Sequence, residues 1–286
     1  MKALVVILMT LLFLQRGEAV ILYGLDNAAN TTYASLDAAG FGDVPWQNVA
    51  RIGGVESTAA NGTGIYLGNG FVLTANHVQP QDTPKIEING APYDFDPGYA
   101  PRQVAAGVDL KIFKIQGGPI LDPVDLYSGS SEVGSQTTVM IGWGQGRGSE
   151  IVGQGWNWGG DPTNNVRWGT NQVEWSGTFS GYQALATWFS ADQGNTEYSA
   201  TLRDSGSPIF QMHNGRWQLV GITTSVEVMN QSLYNPQQYT VTVRISEYQD
   251  EILAIIPEPS ISILLASALP IIAALRRRKG ASFCAH

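Results

Sequence analysis

A chain of 286 residues that is 43% apolar is long enough to bury one large core or two smaller ones. Its 24 acidic side chains outnumber 16 Lys and Arg, for a net charge of −8, so a nucleic-acid backbone is not an expected partner. Three scattered histidines and one cysteine are too few for a typical transition-metal centre, and no cofactor is expected, with calcium in an acidic loop left as an open alternative.

Residues 1–19 read as a secretory leader. Lys2 supplies the positive start, residues 4–14 the apolar stretch, and Gly17-Glu18-Ala19 small residues for cleavage. The domain that follows, residues 20–256, shows short β-branched and aromatic runs parted by Gly, Asn, Asp and Pro, with no heptads and no repeat period. In chain order these are "WQNVARIGG", "GTGIYLG", "GFVLTA", "DLKIFKI", "TTVMIGWG", "NQVEWSG", "SPIFQMHNGRWQLVGITTSV" and "QQYTVTVRIS". "HNG" between alternating apolar residues marks a hairpin turn. Residues 142–169 are expected to be one long, glycine-rich surface loop system carrying Trp143, Trp156, Trp158 and Trp168. Only residues 246–255 look able to form a closing helix. Many short antiparallel strands at this spacing predict an all-β sandwich or pair of barrels.

The far end carries Pro257-Glu258-Pro259, an apolar stretch at 261–275 interrupted by Pro270, and then Arg276, Arg277, Arg278 and Lys279. The stretch is short against the ~20 residues of a full membrane span, and the basic cluster holds that end on the cytoplasmic side. The three parts in this order resemble the PEP-CTERM sorting signal of Gram-negative bacteria. The resemblance implies transient anchoring in the inner membrane by a transmembrane segment at 261–275. It also implies an exosortase-type partner and release near residue 257 to the cell surface, outer envelope or medium. An ordinary C-terminal anchor is the plainer alternative. Cys284 lies beyond the basic cluster, so the exported domain has no disulfide to rely on. Without its ends, the domain keeps ten basic and twenty-two acidic side chains, 10 − 22 = −12.

His77 closes the apolar run "GNGFVLTANHV". A histidine in such a place is a core residue or a base, and a base needs a hydroxyl nucleophile and an acid to orient it. "GVDLKIFKI" offers Asp109 at the mouth of an apolar strand, and "LRDSGSPIF" offers Ser205 in a tight turn before another. His213 in "HNG" and His286 in the tail are poor rivals.

In that order, "VLTANHV", "VDLKIFKI" and "RDSGSPIF" resemble the three signature segments of chymotrypsin-like (trypsin-fold) serine proteases, in particular disulfide-free bacterial members. The likeness spans most of residues 52–250. It implies an all-β fold of two antiparallel six-stranded β-barrels with a short C-terminal helix over residues 20–256. It further implies a secreted serine endopeptidase acting on protein or peptide substrates through an acyl-enzyme. His77 would be the general base, Asp109 its orienting acid and Ser205 the nucleophile. Backbone N–H groups of Arg203 and Ser205 would form the oxyanion hole, and Ser199 the base of a specificity pocket whose wall is Thr224, Ser225 and Val226. With no acid at the base, the pocket should favour small or medium apolar side chains. Arg203 departs from the pattern, since glycine usually holds its place.

Two further readings compete with an active protease. One keeps the fold with little or no activity, on the strength of Arg203; the other is a matrix- or carbohydrate-binding module using the loop tryptophans. "ARIGGVES" also resembles an activation site, where a cut after Arg51 would send the Ile52 amino group to Asp204. The chain between Ile52 and His77 is short, however. The expectation is therefore a single chain active from near Val20, with Asp204 satisfied by local donors.

Overall fold

The computed structural model describes residues 17–18, 20–53, 61–80, 85–134, 136–152, 155–159, 163–190, 192–227, 233–234 and 238–256. The tail signal at 257–286, with its expected transmembrane segment 261–275, and residues 1–16 of the leader lie outside them. Among the described residues no helix is long and apolar enough to cross a membrane.

Two large sheets carry the structure. The amino-terminal one runs, in spatial order, Ala91–Tyr93, Ile86–Ile88, Val49–Ile52, Gly62–Gly68, Phe71–Thr74, Lys111–Lys114 and Arg102–Gln103, every neighbour antiparallel. The carboxy-terminal one runs Arg167–Gln172, Thr137–Gly142, Pro208–His213, Arg216–Glu227, Tyr239–Arg244, Tyr182–Trp188 and Trp175–Phe179. Asp125–Leu126 adds to it in parallel beside Arg216–Glu227. The all-β expectation holds, but the sheets have seven and eight strands, not six each. Two of the three extra strands, Arg102–Gln103 and Asp125–Leu126, have only two residues each, too short to leave a periodic signal.

Successive residues of a strand face opposite ways, and here both faces are apolar. Phe71 and Leu73 enter a core cluster shared by both sheets, while Val72 enters a second one with Tyr66 and Phe113. Val139 and Ile141 join the shared cluster and Met140 packs elsewhere, with Val20 and Tyr198. This is why the runs read as continuously apolar.

Four hairpins turn on two residues with positive φ at both: Asn69-Gly70, Asn89-Gly90, Ser180-Gly181 and Asn214-Gly215. That geometry is the one whose twist matches paired strands. The closing helix forms at Gln249–Ile255, with Asp250 and Glu251 in its first turn and Ile252 and Ile255 turned into the core. A second helix, Tyr33–Ala38, is capped by Thr32, whose Oγ1 accepts from Ser35 N–H, and it buries Leu36. At six residues it is too short for the helical period to register.

Residues 142–169 are not a single loop. Arg147–Ile151 and Gly155–Trp158 pair as an antiparallel hairpin that Leu233–Tyr234 extends, and Arg167–Gln172 lies at the edge of the large sheet. "NQVEWSG" spans two elements, with Asn171 and Gln172 ending Arg167–Gln172 and Trp175, Ser176 and Gly177 beginning Trp175–Phe179. Trp168 is buried, donates from Nε1 to Ser35 Oγ at 2.9 Å and meets Phe41 edge-on. Trp156 meets Tyr23 edge-on under the Arg147 guanidinium, and Trp143 is half-buried against Arg51. These rings pin segments together, and the side chain of Trp158 lies outside the described residues.

Candidate active site

Phe71–Thr74 and Lys111–Lys114 are neighbours with Thr74 opposite Lys111. His77 follows the first strand and Asp109 precedes the second, so both emerge at the same end of the sheet. Asp109 holds His77 at two points: its Oδ1 accepts from the His77 backbone N–H at 3.0 Å, and its Oδ2 lies 2.8 Å from Nδ1. A carboxylate can only accept, so Nδ1 carries the ring proton and Nε2 keeps its lone pair. Ser205 Oγ sits 2.6 Å from that nitrogen and donates to it. The histidine side chain is 50% exposed and the aspartate 25%, which leaves the array open to a substrate.

Ser205 comes from the other sheet, on the turn before Pro208–His213. Its carbonyl accepts from Thr63 N–H at 2.8 Å, and the Thr63 carbonyl accepts from Thr74 Oγ1 at 2.6 Å, so Ser205 is tied to the strands that carry His77. Gly206 N–H donates to Thr223 O at 2.7 Å, and Ser207 N–H to Asp204 O at 2.8 Å, which closes the turn. Gly206 has φ +88°, and a Cβ there would collide with the Thr63 carbonyl and Thr74 Oγ1, so glycine is required. Thr63 and Thr74 escaped the sequence reading. They are visible there only as threonines in apolar runs, and both are fully buried.

Arg203, expected to supply an oxyanion N–H, adopts φ +79°. For a residue with a Cβ that region costs on the order of 1–3 kcal/mol and is held only where the surroundings dictate it. Asp204 next to it is fully buried. Burial pushes its carboxyl up to about 6, against the pull of Thr201 Oγ1, of the N–H groups of Gly144 and Thr201, and of the Val20 N–H. The two glycines of "GWG" make room for it, since a Cβ on Gly142 or Gly144 would overlap the carboxylate. Ile52, the rival source of an amino group for Asp204, is buried in its sheet between Gly62 and Ile86.

A cavity of about 230 Å³ adjoins Ser205, with Thr201, Leu202 and Arg203 on one side and Thr224, Ser225 and Val226 on the other. Ser199 is not among its lining residues. It is fully buried, with Oγ accepting from Gln238 Nε2 at 2.6 Å and donating to Ala200 O at 3.2 Å. Thr224 also pairs with the buried Tyr182 hydroxyl at 2.9 Å, and burial pushes that phenol up, keeping it neutral. A larger cleft of about 450 Å³ beside Trp46, Asp122 and Trp217 holds none of the triad. His213 ends its strand, buried and stacked on Tyr127, and takes no part in the site.

No protein-family model matches the chain, and no curated protein matches it. Solved structures do. Neuropsin, a serine protease expressed in the limbic system of mouse brain, superposes with a TM-score of 0.51 at 18% identity, covering 74% of this chain and 95% of its own. The fold is that of trypsin-like serine proteases. Rv3671c protease, in its inactive form, also superposes on this trypsin-like fold, with a TM-score of 0.51 at 14% identity over 83% of this chain and 99% of its own.

Proposed function

We propose that the chain is an exported serine endopeptidase that hydrolyses peptide bonds through an acyl-enzyme. The observation that carries this reading is the continuous Asp109–His77–Ser205 hydrogen-bonded array, at 2.8 and 2.6 Å, drawn from two sheets and opening beside a cavity. Ser205 Oγ attacks the scissile carbonyl as His77 Nε2 takes its proton, and Asp109 stabilises the imidazolium that results. The N–H groups of Arg203 and Ser205 receive the developing oxyanion. His77 then protonates the leaving amine, and a water deprotonated by the same nitrogen releases the acyl group.

The walls formed by Thr224, Ser225 and Val226 carry no charge to pair a basic side chain, so alanine or valine before the scissile bond is preferred over arginine. A clear preference for arginine refutes the pocket. The tail signal routes the protein through an exosortase-type enzyme to the cell surface or medium, with loss of residues beyond about 257. Mass spectrometry of an exported form that kept Arg276 refutes that step.

Ser205→Ala and His77→Ala each lower hydrolysis by several orders of magnitude and leave thermal unfolding nearly unchanged. Wild-type turnover in either sinks the proposal. The left-handed Arg203 favours one second reading, a weak or inactive protein of the same fold. Stoichiometric labelling of Ser205 by a fluorophosphonate separates the two.

A further inference from the structure

The cleft of about 450 Å³ that holds none of the triad lies where the two sheets meet. Trp46–Asn48, one turn of 3₁₀ helix, reaches it just before Val49–Ile52 of the amino-terminal sheet. Gly215 and Arg216 reach it from a hairpin turn of the carboxy-terminal sheet, and Asp122 from the connection between the sheets. Its volume falls within the roughly 300–1,000 Å³ of ordinary ligand sites.

The charge of this cleft is one-sided. Asp43, Asp122 and Asp125 line it against a single basic residue, Arg216, so 1 − 3 = −2. The Arg216 guanidinium is already engaged, since Nη2 pairs with Asp125 Oδ2. Asp43 and Asp122 are exposed, and neither carboxylate has an ion-pair or hydrogen-bond partner among the described residues. Two carboxylates in surface turns are content with water, and alone they would mark nothing.

Asn48 is the independent sign. It is 5% exposed, lines the cleft and is held by its amide, with Nδ2 donating to Tyr66 O at 3.0 Å and to Asp122 O at 3.1 Å. Both amide hydrogens are thus used, while Oδ1 accepts from no donor among the described residues. Oδ1 is not among the sealed-in polar atoms that lack partners, so it opens on the cleft. A fixed acceptor left without a donor in a nearly buried residue calls for a ligand that brings one.

Aromatic rings complete the lining. Trp217 belongs to the shared core cluster and Trp46 packs against it, while Tyr33 is 43% exposed and donates from its hydroxyl to Gly42 O at 2.8 Å. The faces of such rings attract cations. Trp46 N–H on Val44 O at 2.6 Å and Asn48 N–H on Pro45 O at 3.2 Å fix this wall in advance, which spares a ligand the cost of ordering it.

We infer that this cleft binds an organic cation, the guanidinium or ammonium group of an arginine- or lysine-bearing ligand: Asp43 and Asp122 supply the countercharge, Asn48 Oδ1 accepts one of its N–H groups, and Trp46 and Tyr33 cover its apolar stem. An anion is repelled by the net charge, and a neutral ligand leaves both carboxylates unused. A guanidinium fits better than an ammonium, because its five donors lie in one plane and its faces stack on rings. The inference does not need the protease reading. Under that reading, the cleft holds a basic segment of a polypeptide substrate away from the scissile bond.

The test uses the full chain carrying Ser205→Ala, so that no peptide is cut, and follows the fluorescence anisotropy of a dye-labelled Gly-Arg-Arg-Gly peptide. A second peptide has citrulline in place of arginine, with nearly the same shape and no charge. The arginine peptide is expected to bind roughly tenfold more tightly than the citrulline one. Asp43→Asn and Asp122→Asn are each expected to weaken it about fivefold, the scale of one partly exposed ion pair. Asp250→Asn, exposed on the closing helix, alters the overall charge equally and is expected to leave binding unchanged. Displacement by free argininamide assigns the site to a lone cation, and failure to displace assigns it to a polypeptide; both uphold the cleft. Should Asp122→Asn fail to fold, Asp43→Asn carries the comparison. Equal affinity for the two peptides, or a loss in Asp250→Asn as large as in the cleft variants, overturns the inference. Fluorophosphonate labelling of the unsubstituted chain is read separately, so a failure of the protease reading is told apart from a failure of this one.

Discussion

Replacing Asp109 by Asn leaves one oxygen and one amide where two oxygens stood, and the surroundings decide which goes where. The His77 main-chain N–H, 3.0 Å from Oδ1, can only donate, so the asparagine oxygen takes that position. The amide then faces Nδ1, where Oδ2 now lies at 2.8 Å, and an N–H₂ group there demands a lone pair. The ring proton moves to Nε2, which now points a donor at Ser205 Oγ, and the base is gone. A loss of about 10⁴ in kcat is expected, or roughly 5.4 kcal/mol at 1.36 kcal/mol per tenfold. Stability should fall by less than about 1 kcal/mol, because the amide keeps both contacts and the site is solvent-screened. Hydrolysis of an alanyl chromogenic peptide and a urea titration measure the two quantities. A folded variant with less than a tenfold loss in kcat refutes the argument that Asp109 sets the tautomer.

Gly206→Ala places a Cβ on the Thr63 carbonyl at φ +88° and should cost about 3 kcal/mol of stability through strain and broken turn bonds; an unchanged urea midpoint rejects this. Arg244→Ala strips Glu132, 1% exposed, of two bonds at 2.9 Å and leaves it only the Ser246 hydroxyl among side-chain donors. A loss of about 3–5 kcal/mol with unchanged kcat per folded molecule is expected, and equal loss of kcat would tie this ion pair to the site. Burial pushes the Asp204 carboxyl up to about 6, above its ordinary value, so the folded state holds that proton more tightly than the unfolded state. The contribution of Asp204 to stability is then fully present below about pH 4 and is lost, by roughly 2–3 kcal/mol, as pH rises to about 6; an Asp204→Asn variant whose melting temperature changes with pH across that window just as the parent's does contradicts the shift.

That Asp109, His77 and Ser205 meet was legible because each sits beside a strand whose apolar run is unmistakable, and the order of the three segments is informative in itself. The chemistry of the turn was partly legible, since Asp-Ser-Gly-Ser names a tight bend but not the Thr63 carbonyl that makes Gly206 obligatory. Residues 142–169 misled because glycine dilutes the alternation of Arg147–Ile151 and Gly155–Trp158, and their pairing is to each other and to Leu233–Tyr234. Ser199 misled in another way. Position along the chain placed it at the pocket floor, but its hydroxyl is turned to Gln238 and Ala200. The donors to Asp204 were legible only where local. Thr201 and Ser207 are close in sequence, whereas Val20 arrives from the far end of the domain, and nothing in a linear pattern reports that meeting.

His77 and Asp109 belong to one sheet and Ser205 to the other, so the proposed hydrolysis is a gauge of registry between the two sheets. Thr63 N–H on the Ser205 carbonyl is one rivet of that seam, and the shared apolar cluster is its glue. Displacement by about 1 Å is enough to cost a hundredfold in rate, far less than any spectroscopic signal of unfolding requires. Agents that loosen the seam should therefore silence the proposed activity while both sheets are still intact, and residues along the join that never touch a substrate can tune it.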